Sequence, residues 1–407
     1  MALTILIALL LAAIVLLVLP PRANGNFVYW TNDTPGNSIG RAKINGTGLN
    51  DNFITGLNRP IGVAVDSKFI YWADWNANRI GRANLDGSGV NLDFIAGVHP
   101  EGIAVTSNSG IYWGNDTGVN DTIGHANIDG SNPVINFIPT GTSNCGIAAD
   151  QSFVYWLNNA GGAAKIGRAT LAGGNPDPNF VSVPSAGCGL AVDNSFLYWS
   201  ARSSGSMLGS VGRVQVGGGT ADANFISDAT SSILFTPGPA VNSQYVFWSN
   251  ASSTSGSGAI GRANINGSSP NPSLVTGVAS PNLLAAAPSN KVTINSVTKK
   301  KKKGTATINA KVPGPGQVTL SESGNQDVNA TEAAVKQQGL TITAASSFKL
   351  AVKPKGKTAK KLKKQVKKKG KGKVKVKVFV TFVPAGVAGI PNSQPVKITL
   401  IKQRKKK

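Results

Sequence analysis

The sequence predicts an all-β fold: a six-bladed β-propeller followed by a small immunoglobulin-like β-sandwich. Three observations lead there. An aromatic-Trp pair recurs six times, at Tyr29-Trp30, Tyr71-Trp72, Tyr112-Trp113, Tyr155-Trp156, Tyr198-Trp199 and Phe247-Trp248. A second motif follows each pair in phase, at Ile39-Gly40-Arg41, Ile80-Gly81-Arg82, Ile123-Gly124-His125, Ile166-Gly167-Arg168, Val211-Gly212-Arg213 and Ile260-Gly261-Arg262. The last third of the chain is rich in lysine and in runs of Val, Ile and Thr.

The tryptophans are spaced by 42, 41, 43, 43 and 49 residues. A period of about 40–45 residues holding four short strands is that of a propeller blade. One unit reads in full as a first strand Ile61–Val65, a second Phe69–Trp72, a third Arg79–Leu85 and a fourth Asn91–Ile95. Asp86-Gly87 is expected to supply a two-residue hairpin turn, with equivalents at Asn45-Gly46, Asp129-Gly130, Gly173-Gly174 and Asn266-Gly267. The large Trp rings are expected to fill the wedges between blades, where burying an aromatic gains most. The chain enters at Phe27–Trp30, a second strand, and Ser280–Ala286 reads as a first strand with no Tyr-Trp after it. The late strand is therefore expected to complete the opening blade, which removes exposed sheet edges.

These repeats resemble the YWTD propeller of the low-density-lipoprotein receptor group, class B-like, in the divergent form of secreted actinobacterial proteins. The resemblance spans about residues 26–290. It implies six blades and a binding or scaffold role without catalysis. The fourth motif position departs from the pattern: Asp74 in one blade, Asn32, Asn115, Asn158 and Asn250 in four, and Ala201 in another. Asn keeps an acceptor oxygen; Ala201 does not, so its junction is expected to be looser.

Charge divides the chain. Its 407 residues carry a formal net charge of +23, yet residues 292–407 hold 28 Lys+Arg against 3 Asp+Glu. The remainder holds 13 basic and 15 acidic residues and is close to neutral. Such asymmetry points to an anionic partner or to a coat that keeps the protein dissolved. Residues 1–25 contain an apolar run, Ala2–Leu19, ended by Pro20-Pro21, with small residues at Ala23 and Gly25. That pattern predicts a signal peptide or an N-terminal membrane anchor, and an extracellular or cell-surface location for the rest. The expected domains are the propeller at 26–290 and the lysine-rich β module at 291–407.

Within the module, Lys371, Lys373, Lys375 and Lys377 alternate with Gly372, Val374, Val376 and Val378. A strand places such lysines on one face and the valines on the other. Just upstream, Ala359, Leu362 and Val366 mark a narrow apolar stripe among Lys363, Lys364, Lys367 and Lys368, a short helix stopped by Gly370. Residues 353–377 hold 14 lysines and no acid. These lysines are the candidate polyanion site, for an anionic cell-wall polymer or a membrane surface. Sequence-specific nucleic-acid binding is not expected, because no exposed aromatic is read between the lysines.

Other candidates are few. Cys145 and Cys188 occupy one repeat position and are a candidate disulfide, provided neighbouring inner strands bring their Cα atoms within about 7 Å. Trp75 stands outside the repeat register and is a candidate for a protein or glycan ligand on the propeller face. The motif arginines are read as structural, stacking on Trp or pairing with Asp and Asn oxygens. No G-x-S-x-G, H-E-x-x-H or P-loop string occurs, and no enzyme activity or cofactor is expected. Two alternatives stand beside the binding protein. One is a lactonase-like hydrolase with a channel metal held by Asp66, Asp150, Asp193 and Asn242. The other is a structural wall protein.

Overall fold

The computed structural model describes residues 27–403, apart from positions 67, 107–108, 117–120, 142–144, 159–163, 185, 203–208, 228–237, 251–255, 288–291, 313–315, 322–337, 343–345 and 385–391. The expected export segment, residues 1–25, lies outside the described residues.

Between Phe27 and Ala286 the strands form six four-stranded antiparallel sheets. Sheet 2 is typical, with Pro60–Val65 innermost, then Phe69–Asp74, Arg79–Asn84 and Asn91–Ala96. Sheets 3 to 6 repeat this order over 100–139, 147–183, 190–227 and 239–278. Sheet 1 is assembled from both ends of the region. Pro281–Ala286 is its innermost strand and pairs antiparallel with Phe27–Asn32, placing Leu284 opposite Trp30 and Ala285 opposite Tyr29. Each innermost strand packs beside the next, and the sixth packs beside Pro281–Ala286, so the sheets close into a ring.

The repeat motifs explain one another. In every sheet the Trp of the second strand stands opposite the Gly of the third, as Trp72 does opposite Gly81. The indole lies over that glycine so closely that a Cβ would fall 2.1–2.4 Å from the ring. Glycine is therefore required by the Trp. The rings are 0–1% exposed. Each packs against the Tyr or Phe of the preceding sheet in a shared core: Tyr29 with Trp72, Tyr71 with Trp113, Tyr112 with Trp156, Tyr155 with Trp199, Tyr198 with Trp248, and Phe247 with Trp30.

A second clasp lies near the rim. The fourth-strand aromatics Phe53, Phe94, Phe137, Phe180 and Phe225 abut the turn glycines of the following sheet, Gly87, Gly130, Gly173, Gly218 and Gly267. Leu274 of sheet 6 abuts Gly46 of sheet 1, closing that series too. The expected two-residue hairpin is corrected here. In sheet 2 the loop is Leu85-Asp86-Gly87, closed by Asn84 N–H donating to Ser88 O, and of these three residues only Gly87 has positive φ (90°). That is the three-residue turn-plus-bulge form. Asp86 serves as a side-chain cap, accepting from the Ser88 N–H at 2.9 Å and the Ser88 hydroxyl at 2.6 Å.

Sheet 1 carries an additional latch. Asp51 accepts from the Trp30 indole N–H (2.8 Å), the Asn32 amide (2.8 Å) and, with its other oxygen, the backbone N–H of Ala279 (2.8 Å). One carboxylate thus ties the first strand of the chain to the segment that brings the last strand home.

Residues 293–403 form a three-stranded sheet (Thr293–Lys300, Thr305–Val312, Ser346–Val352) and a four-stranded sheet ordered Gln338–Ile342, Gly316–Ser321, Lys371–Pro384, Asn392–Gln403. Both contribute to one core, including Ile308 and Leu350 from the first sheet and Val318, Val380 and Leu400 from the second. Gln338–Ile342 carries no buried-strand pattern in its sequence, since Gly339, Leu340 and Thr341 are all exposed. The helix falls where expected, Gly356–Lys369, with Leu362 buried and Gly370 capping it at φ 67°. Gln365 accepts a hydrogen bond from the Lys373 N–H at 2.8 Å, joining helix and strand.

Two substitutions test this packing. Gly167→Ala puts a Cβ 2.3 Å from the Trp156 ring, and overpacking of this kind costs about 1–3 kcal/mol or more. Urea unfolding should show the loss, and an unchanged midpoint would refute the Trp-over-Gly account. Asp51→Ala leaves the Trp30 and Ala279 donors unmatched. It should lower stability by about 2–4 kcal/mol, with hydrogen exchange accelerating first in Phe27–Asn32 and Pro281–Ala286.

Candidate functional site

Inner strands of sheets 2, 3 and 4 approach their neighbours closely because a glycine at or beside the start of each admits the next backbone. A Cβ on Gly62 would lie 2.6 Å from Glu101 O, one on Gly102 2.3 Å from Cys145 O, and one on Gly146 3.1 Å from Cys188 O. The residue before the glycine in successive sheets is Ile61, Glu101, Cys145 and Cys188. Close approach thus puts a carboxyl and two sulfurs side by side at one mouth of the central channel. Cys145 and Cys188 are bonded to each other with Cα atoms 5.1 Å apart. The approach of neighbouring inner strands is therefore well within disulfide reach.

Glu101 stands next in the ring. Burial pushes its carboxyl up to about 7, helped by the negative charges of Asp116 and Asp121 and opposed by Arg59. Its Oε2 is buried with no hydrogen-bond partner. The opposite end of the channel is apolar, a cavity of about 110 Å³ lined by residues such as Val65, Val105, Ala148, Val192 and Ala285.

The acids suggested for a channel metal serve a different purpose. Asp66 accepts from the N–H groups of Lys68 (2.6 Å) and Phe69 (2.7 Å), and its second oxygen from the Tyr71 hydroxyl (3.0 Å). Asp150 and Asp193 repeat this with Tyr155 and Tyr198, each at 3.0 Å. Asn242 accepts from the N–H groups of Gln244 and Tyr245, both at 2.9 Å. Thr106 keeps the role with its hydroxyl, accepting from Ser109 N–H at 3.2 Å. These residues cap the turns between first and second strands and position the motif tyrosines. Burial pushes the phenols of Tyr71, Tyr155 and Tyr198 above their ordinary range, and the adjacent carboxylates add to it.

The motif arginines are structural, but their partners differ from those expected. Four of the guanidiniums are held between two phenylalanines of their own sheet: Arg41 lies 3.7 Å from the Phe53 centroid and 4.8 Å from Phe27, and Arg82, Arg168 and Arg213 do likewise, whereas Arg262 lies 4.4 Å from the Tyr245 centroid. The Trp face is occupied by glycine and is closed to them. Arg41 then donates to Leu85 O (3.2 Å) and Arg262 to Ile44 O (2.6 Å), both in the following sheet. His125 fills the slot in sheet 3, stacked on Phe137 at 4.7 Å.

At the fourth motif position, Asp74 accepts from Asn58 N–H (2.7 Å) and pairs with Arg79 (2.9 Å). Asn115 keeps the backbone contact, accepting from His99 N–H at 3.1 Å. At the Ala201 junction the preceding residue substitutes, Ser200 Oγ accepting from Gly189 N–H at 3.1 Å. Trp75 lies half-buried in a short 3-10 turn with the Arg59 guanidinium 4.5 Å from its ring. Arg59 also pairs with Asp33 at 3.4 Å.

The lysine face is laid out as the alternation predicts. Lys371, Lys373, Lys375 and Lys377 are exposed, and Val376 and Val378 are buried. The structure adds three features. Lys377 stands directly opposite Lys397, a like-charged cross-strand pair. The same face carries half-buried Phe379, with the Lys377 ammonium 4.9 Å from its ring. Phe379 stands one period-2 step beyond the lysines rather than between them. Finally, the exposed turn Lys301–Lys303 lies against the end of the last strand, where Gln403 N–H donates to Lys301 O and Gln403 pairs with Lys371. Lysines about 70 residues apart in sequence thereby meet at one end of the module, a proximity no local pattern encodes.

Comparison with known proteins agrees with the fold. Residues 68–105 match the family of low-density lipoprotein receptor repeat class B. A chain of the nidogen–laminin complex is similar in structure, with a TM-score of 0.52 at 19% identity over 65% of this chain and 98% of that one. TolB from Acinetobacter baumannii aligns at 13% identity and a TM-score of 0.47, over 64% of this chain and 66% of its own. A gluconolactonase from Xanthomonas campestris aligns at 16% identity and 0.41, over 52% and 75%. No curated protein matches the sequence. Residues 27–286 thus have a β-propeller fold of repeated four-stranded sheets, with a class B-type repeat matched at 68–105. Among the described residues no helix is long and apolar enough to cross a membrane.

Glu101 makes stability depend on pH. Its folded value is raised to about 7, while the unfolded carboxyl titrates near 4.3. The folded state binds the proton more tightly, so stability is highest below about pH 4.3, falls as pH rises towards 7, and is flat above. The loss from this group is at most about 4 kcal/mol. Glu101→Gln should flatten that segment of a pH–stability curve, and an identical slope in the variant would refute the assignment.

Proposed function

We propose that the protein is an exported, non-enzymatic binding or scaffold protein with two parts. A six-bladed propeller over residues 26–290 presents a rigid face to a protein or glycan. An immunoglobulin-like module over 291–407 adheres to an anionic cell-wall polymer or membrane surface. The supporting observation is the unrelieved lysine face: Lys371, Lys373, Lys375 and Lys377 on one strand, Lys397 opposite, and the turn Lys301–Lys303 beside its end. A fold does not place Lys377 against Lys397 for stability. An external polyanion offsets the repulsion and releases its own counterions.

The non-enzymatic reading draws on the turn-capping roles of Asp66, Asp150 and Asp193, whose oxygens are already committed to backbone and tyrosine donors. The propeller face is assigned to the mouth carrying Trp75 and Arg59. There a half-exposed aromatic, a guanidinium and the Asp33 carboxylate together suit a polar, sugar-like or peptide ligand. The export reading follows the apolar run Ala2–Leu19 and the interblade disulfide, a bond that persists outside the cytoplasm.

Adhesion is tested with the full chain and the variant carrying Lys→Gln at 371, 373, 375 and 377. Binding is measured to vesicles with anionic or with neutral headgroups, and to a soluble phosphodiester polymer. Each lysine near an anionic surface is worth about 1 kcal/mol, so the variant should bind anionic vesicles at least about 100-fold more weakly at low salt. Equal binding by both proteins, or binding to neutral vesicles, would show that the lysines only solubilise.

A further inference from the structure

The channel mouth brings a donor set together that the repeat alone does not require. One carboxylate oxygen of Glu101 and the sulfurs of Cys145 and Cys188 lie within 4.8 Å of one another. Each comes from a different sheet: Glu101 lies in the inner strand Pro100–Thr106, and Cys145 and Cys188 lie two residues before the inner strands that begin at Ile147 and Leu190, with their carbonyls against Gly102 and Gly146. A tetrahedral ion with metal–sulfur bonds of about 2.3 Å and metal–oxygen bonds of about 2.0–2.2 Å spaces its ligand atoms by roughly 3.5–3.8 Å. The sulfurs can reach that spacing only after the bond between them is broken.

The surroundings favour a cation. Glu101 Oε2 is buried and unpartnered. Asp116 and Asp121 act on Glu101 as negative charges, with Arg59 as the opposing positive one. Cys145 is buried, whereas Glu101 and Cys188 are half-buried, so the donor set is in reach of solvent.

We propose that Glu101, Cys145 and Cys188 form a redox-gated site for a thiophilic divalent cation of the zinc class. The disulfide and the metal are alternative occupants of one place. A dithiol or phosphine reductant supplies two electrons, the S–S bond breaks, and two protons complete the thiols. The cation then displaces both thiol protons, and the Glu101 proton where present, to give two metal–sulfur bonds and one metal–oxygen bond. Removing two electrons with a thiol oxidant restores the disulfide and releases the ion. Zinc chemistry suits the set, because thiolates select soft cations over calcium and magnesium. The site does not depend on the adhesive role proposed above.

The test uses the full chain, reduced with a phosphine without oxygen and titrated with Co²⁺ as an optical stand-in for zinc. Thiolate-to-cobalt charge-transfer absorption should saturate at about one equivalent, as one three-donor site requires. The unreduced chain and Cys145→Ser should not develop it. Glu101→Gln should weaken binding by about tenfold or more, since even outer ligand partners are worth 10–100-fold. Near-ultraviolet circular dichroism reports the packed tryptophans at each stage. Three results would overturn the proposal: no saturable band in a reduced chain with unchanged dichroism; equal affinity in Glu101→Gln; or a reduced chain that loses its dichroism and does not regain it with cobalt.

Discussion

The structure depends on an indole ring lying flat over a glycine. Where Trp72 faces Gly81, the absent Cβ lets the ring settle against the third strand and still reach Tyr29 of the preceding sheet. Burying one such aromatic removes 150–250 Å² from water, a gross gain on the order of 4–6 kcal/mol before ordering costs. The same contact recurs at every junction, including Phe247 with Trp30, where the ring closes. Sheet spacing, inner-strand convergence and the channel mouth all follow from that packing. The indole N–H carries the cost: those of Trp72, Trp113, Trp156 and Trp248 are buried without a partner. In the closing sheet an acid, Asp51, meets the corresponding Trp30 N–H and also holds two distant segments together.

Much of this was legible because the repeat is redundant. The Tyr-Trp and Ile-Gly-Arg markers are in phase, so the strand order and the pairing of Pro281–Ala286 with Phe27–Asn32 follow from counting. The lysine strand was legible from its period of two. What sequence did not yield were partners across turns. Arg41 sits between Phe27 and Phe53, residues on either side of it in the sheet, because glycine already covers the indole. Asp66, Asp150 and Asp193 read as possible ligands because an acid at a strand end looks alike whether it holds an ion or a turn. Only the tyrosine hydroxyl five residues on decides between them. Nothing in the repeat singles out Glu101, because its place beside the cysteines depends on how closely three backbones approach.

The two halves of the chain solve opposite electrostatic problems. The propeller is close to neutral and spends its acids locally, on turns and on single pairs such as Asp74 with Arg79. The module has almost no acid to spend. Its helix begins with no acidic residue in the first turn, although the dipole there favours one, and ends with Lys367, Lys368 and Lys369 where the dipole favours cations. Half of that arrangement stabilises the helix and half does not, so helix stability is not what selects the lysines. In the binding reading proposed above, an anion lying across Lys377, Lys397 and the Lys301–Lys303 turn offsets the repulsion that these like charges create.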